Sequence, residues 1–200
     1  EMCIRDRSIS KSGYTQVVPG QEIRYTFKDI GNNSTVPLDS FYWRDTLPTD
    51  AVRLDKIITG TYSARLNYKV VFQTNLNDTQ RVLADNLNTQ KNYTLDASPA
   101  ALGLASNEYV TQVTFLFGRV PGGFKQVETP YIYCDVLSSL SHEYRFANKC
   151  DVGGMWQNQW VQATDRWVTI IYRGGPVPTL PRTGSVSYTH LRAHETPEHL

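Results

Sequence analysis

The chain has 200 residues, of which 40% are hydrophobic and 20% charged, with a formal net charge of +1. That is the size of one domain with a tail, long enough to bury a proper core. So even a balance of charge offers no basic face for nucleic acid and no polybasic run for a membrane surface.

Taken in chain order, the first residues do not read as sequence selected to fold. Glu1, Met2, Cys3, Ile4, Arg5, Asp6 and Arg7 resemble the translated end of a transposase adapter used in sequencing libraries, and the stretch from Val186 through Thr196 resembles the reverse strand of one. Residues 1–7 and 186–200 are therefore expected to be adapter-derived, with one surface domain at 8–173 and a Pro/Gly spacer carrying a short signal at 174–185. Cys3 and the histidines His190, His194 and His199 fall in the excluded ends. Only His142 remains, so no metal cluster and no cofactor are expected.

Between those ends the dominant signal is alternation of period two, rich in aromatic and β-branched residues and broken by turn-forming clusters. Ile23, Tyr25 and Phe27 alternate with Arg24, Thr26 and Lys28, and the run closes at the turn signal Gly31, Asn32, Asn33, Ser34. Phe41 and Trp43 bracket Tyr42 in a second strand that ends at Pro48, where proline bars further ladder bonding. Further strands are predicted at 53–62, 67–74, 109–117, 131–137, 143–148, 159–163 and 167–172. Ser98 through Leu104 reads as one helical turn, with serine as cap and proline in the first turn. Many short strands with Gly/Pro turns predict an all-β protein, an antiparallel β-sandwich. Sequons at Asn32, Asn33, Asn77 and Asn92 are read as polar turns.

Three segments together carry a resemblance. Ile23 to Phe27, then Ile30, Gly31 and Asn32, then Asp45, Thr46, Leu47 and Pro48 resemble the prealbumin-like conserved-repeat domain of Gram-positive wall proteins, the domain of unknown function eleven type. Phe146, Ala147 and Asn148 occupy its closing position, with Cys150 where alanine is usual. The resemblance covers most of Tyr14 to Gly154, and Met155 to Tyr172 looks like an extension found in a clostridial subset. It implies an Ig-like/prealbumin-like sandwich at the cell surface.

The spacer from Gly174 to Thr179 is followed by Leu180, Pro181, Arg182, Thr183 and Gly184, which read as a sortase sorting signal. Pro181 favours an extended peptide, and Gly184 leaves the preceding carbonyl open to attack. A sortase, by resemblance, attacks the Thr183 carbonyl and passes the acyl group to an amine of a peptidoglycan precursor. The expected function is a structural stalk or adhesin module, secreted and covalently attached to the cell wall of a Gram-positive bacterium, with sortase and peptidoglycan as partners. The expectation is of a substrate, not an enzyme.

Four further sets of residues have the types for chemistry or binding, each beside a plainer role. With His142 alone, serine and cysteine nucleophiles are poorly supplied; Asp45, Glu108, Glu128 and Asp135 are the carboxylates that a hydrolytic pair would draw on. Lys28, Asn148 and Glu128 have the types for a self-formed lysine–asparagine isopeptide bond beside an acid, against which parity sets Lys28 toward solvent. Trp156, in a Gly-rich loop, and Trp160 are candidates for stacking on a host glycan or a matrix protein, whereas Trp43 is expected in the core. Trp160 and Trp167 are expected as a cross-strand pair. Cys134 and Cys150, sixteen positions apart, are read as buried thiols, with a disulfide as the alternative.

Overall fold

The computed structural model describes residues 7–174, and within them the chain is an all-β, two-sheet sandwich. The strands are β1 (Arg7–Ser12), β2 (Gln16–Val17), β3 (Glu22–Asn32), β4 (Leu38–Thr46), β5 (Val52–Ile58), β6 (Asn67–Thr74), β7 (Asn77–Asn88), β8 (Thr94–Asp96), β9 (Val110–Val120), β10 (Tyr131–Val136), β11 (Arg145–Trp156) and β12 (Gln159–Ile171). One sheet runs β1-β3-β10-β5-β8 and the other β2-β12-β11-β4-β9-β6-β7. Neighbours pair antiparallel, except β2, which lies parallel to β12.

Alternation explains which face of each strand turns inward. On β3, Ile23, Tyr25 and Phe27 are buried while Lys28 is exposed; on β4, Phe41 and Trp43 are buried while Tyr42 and Arg44 are half-buried. The two inner faces share one core, as a sandwich requires. Trp43 lies at its centre, stacked on Phe115 at 4.0 Å and tilted against Phe27 at 4.8 Å. Its indole N–H donates to Tyr62 Oη at 3.0 Å, so this buried donor is satisfied. Each such ring withdrawn from water contributes roughly 2–3 kcal/mol.

The turn after β3 forms where the sequence places it. Buried Asn32 donates to the carbonyls of Val36 (2.8 Å) and Pro121 (3.1 Å) and accepts from the Ser34 backbone N–H (3.2 Å). The helical turn at 98–104 is a single turn, closed by Leu102 N–H to Ser98 O and capped by the Ser98 hydroxyl accepting from Ala101 N–H.

Several expectations are corrected. β1, β2, β7 and β8 were not anticipated. The predicted strands at 159–163 and 167–172 are one strand, β12, so Trp160 and Trp167 are no cross-strand pair: Trp160 faces Met155 and Trp167 faces Asn148 across β11. Gly153 and Gly154, expected in a loop, lie buried inside β11. A Cβ on Gly153 would stand 2.8 Å from Val161 O and 2.9 Å from Tyr42 Oη, and one on Gly154 would stand 3.1 Å from Leu38 Cβ and 3.2 Å from Asp39 O. The reversal comes later, at Gln157 and Asn158, whose φ values of 47° and 63° are those of a two-residue hairpin turn of type I′.

Candidate functional site

Three strands place a polar side chain on the inward parity of an otherwise apolar face. On β1, Ile9 and Lys11 point inward while Ser8, Ser10 and Ser12 do not; on β4, Asp45 continues the row of Phe41 and Trp43; on β11, Asn148 stands between Phe146 and Cys150. Antiparallel pairing of β4 with β11 sets Asp45 opposite Cys150, two residues from Asn148 on the same face. Across the sandwich, β1 is anchored by its Lys11 backbone N–H donating to Asp165 on β12 at 2.7 Å.

The three side chains meet on one carboxylate. Lys11 Nζ donates to Asp45 Oδ1 with neither side chain exposed (0% each), and Asn148 Nδ2 donates to Asp45 Oδ2 at 3.3 Å. Aromatic rings wall the lysine, with Nζ 4.6 Å from the centroid of Tyr25 and 4.3 Å from that of Phe27. Asn148 Oδ1 is buried and has no hydrogen-bond partner. Tyr25 Oη is also buried without a hydrogen bond of ordinary geometry, although Asn148 and Thr169 lie close enough to influence it.

Electrostatics follow from the dry setting. Burial pushes the Asp45 carboxyl up, and Lys11, then the hydrogen bonds from Lys11 and Asn148, pull it back down. Burial likewise raises the Tyr25 phenol and the thiols of Cys134 and Cys150, the last to about 12. Withdrawing a lone ion pair from water costs several kcal/mol per ion, which a single contact repays only with good geometry and further hydrogen bonds. A lysine, an acid and an amide held in contact away from water can exchange a proton and bring an amine to an amide carbon.

Of Lys28, Asn148 and Glu128, only Asn148 belongs to this cluster; Lys28 is exposed on β3, as its parity required, and Glu128 is exposed in the loop before β10. The lysine and acid in contact with Asn148's strand are instead Lys11 and Asp45. Lys11 escaped notice because its strand is short and rich in serine, and its one signal is sharing parity with Ile9. Glu108 is engaged by the Thr74 hydroxyl (2.8 Å) and by Arg81, and Asp135 is exposed on β10, so these acids form no pair with Asp45. His142 Nδ1 accepts from Arg173 N–H at 2.9 Å, and its ring packs on Tyr172. Cys134 on β10 and Cys150 on β11 are buried free thiols.

Among the tryptophans, Trp156 is half-buried against the core, whereas Trp160 is 61% exposed with Tyr42 at 6.3 Å. The better-exposed ring is therefore Trp160, since the residues before Trp156 are strand and not loop. Beside it, Asp151 is saturated by Tyr42 Oη (2.8 Å), Arg44 (2.8 and 2.7 Å) and Gln162 (2.8 Å). Leu180, Pro181, Arg182, Thr183 and Gly184 lie outside the described residues.

No family profile matches the chain, and no curated protein matches it in sequence. Solved structures similar to it include the cohesin module of a family 33 glycoside hydrolase from Clostridium perfringens, with a TM-score of 0.43 and 8% identity over 82% of this chain and 96% of that one. The collagen-binding domain of a Staphylococcus aureus adhesin has a TM-score of 0.36 and 10% identity over 81% and 96%. The N-terminal domain of a Streptococcus gordonii adhesin has 0.38 and 11% over 84% of this chain and 33% of that one.

Proposed function

We propose that this chain is a structural module of an exported bacterial surface protein, joined covalently to peptidoglycan by a sortase acting at Leu180, Pro181, Arg182, Thr183 and Gly184. The observation that carries the reading is positional. The last strand among the described residues, β12, ends at the buried Ile171, and in the sequence the motif follows within roughly ten residues, across a spacer punctuated by Gly and Pro. A spacer of that Gly- and Pro-punctuated composition disfavours ladder pairing, which suits presentation of the motif to another enzyme's groove. In that reaction the sortase cysteine attacks the Thr183 carbonyl, Gly184 leaves as the new amine, and an acceptor amine takes over the acyl group. Incubating the full chain with a sortase and an oligoglycine or diamine nucleophile tests this by mass spectrometry. A product ending at Thr183 joined to the nucleophile is expected; a chain left uncut by sortases of different classes would overturn the reading.

A second reading, binding of a host glycan or matrix protein, is favoured by one observation, the exposed Trp160 ring beside Tyr42. Stacking of a sugar on that ring would quench its fluorescence, and an unchanged spectrum across a panel of oligosaccharides and collagen would remove the idea.

A further inference from the structure

We propose that Lys11 and Asn148 become joined by a self-formed isopeptide bond, with Asp45 as the proton carrier, tying the first strand of one sheet to the penultimate strand of the other. The inference is independent of the sorting signal.

The geometry is that of a reaction held ready. Lys11 and Asn148 sit on the two oxygens of one carboxylate, so amine and amide are held side by side without a diffusional step. All three side chains are buried, and Tyr25 and Phe27 cover the amine. Such a pocket keeps water from competing for the amide carbon. Asn148 Oδ1 has no hydrogen-bond partner. A carboxyl group carrying a proton would supply one once the amide turns over, and it would at the same time polarise the carbonyl toward attack. Burial, which raises the Asp45 carboxyl, favours that protonated form.

The steps balance without any outside reagent. Lys11 passes a proton to Asp45 and attacks Asn148 Cγ as the free amine, forming the Nζ–Cγ bond. Protonated Asp45 donates to the developing oxyanion. The carboxylate so formed takes the second proton from Nζ and hands it to Nδ2, and as the tetrahedral centre collapses it takes up the hydroxyl proton. The Cγ–Nδ2 bond breaks, Nδ2 leaves as ammonia, and Asp45 ends protonated beside the new amide. One amide replaces another, so no oxidant or energy source is needed. A plain buried ion pair would place the lysine and the aspartate in contact but gives no reason for the asparagine amide, with its bare oxygen, to share the carboxylate.

Mass spectrometry of the full chain under denaturing conditions is the test. The native chain should be lighter than its sequence mass by one ammonia, about 17 Da. Digestion should yield one branched peptide linking the segment with Lys11 to the segment with Asn148. Lys11→Gln, Asn148→Ala and Asp45→Ala chains should each keep their full sequence mass. The measurement on the native chain needs no variant to fold. A natively folded chain, shown by a cooperative melt, at its full sequence mass would overturn the proposal, as would an ammonia loss that maps to a succinimide at another asparagine.

Discussion

Asp45 has no exposed side-chain surface, and burial lifts its carboxyl above the ordinary 3.8 against the pull of Lys11. Between that ordinary value and the raised folded one, the folded chain keeps a proton that the unfolded chain has released, so stability falls as pH rises through the window. Removing Lys11 takes away the strongest influence holding the carboxyl down, and leaving one partner of a buried pair alone costs about 3–5 kcal/mol. Neither Lys11→Met nor Lys11→Met/Asp45→Asn can crosslink, so their comparison isolates the acid. Lys11→Met should melt below the double variant near neutral pH, and the gap should close as pH falls below about 3, where the lone acid is neutral in both states. A gap of the same size at every pH would show that Asp45 does not carry this cost. The sequence displayed two of the three residues plainly, since Asp45 and Asn148 interrupt apolar rows. Lys11 was hidden by a strand of six residues with three serines, where alternation is too brief to register.

At the scale of elements, the strands legible in the sequence are those with one dry, aromatic face: β3, β4, β6, β9 and β10 appear within a few residues of their expected bounds. β7 was illegible because it is an edge strand, mostly exposed along its length, so its side chains need no alternation. Its exposed Asp78 and Asp85 place charge along that edge, which disfavours pairing with another chain. Gly153 and Gly154 were misleading for the opposite reason. They mark a close approach of β11 to its neighbours, Gly153 to Tyr42 and the Val161 carbonyl and Gly154 to Leu38 and Asp39, not a loop. Gly153→Ala should therefore lower stability by about 1–3 kcal/mol, because a backbone carbonyl at that distance has little room to give. Thermal melts check this, and an unchanged midpoint would mean that the hairpin of β11 and β12 can shift aside.

At the scale of the molecule, alternation indicated a sandwich but not its wiring, because β3 with β10 and β4 with β11 pair across roughly a hundred residues of chain. That wiring is what brings β1, β4 and β11 to one point. It also decides how load would travel through the chain when it is stretched between its ends. With Lys11 bonded to Asn148, a pull on residues 7 and 174 would pass through the crosslink and bypass nearly all of the strands between β1 and β11. Single-molecule stretching between those ends tests the account of a covalently locked surface module most directly. The locked chain should release only the short flanking segments, a gain in length of at most about 100 Å. A chain that pays out its full described length, roughly 550 Å, would contradict it.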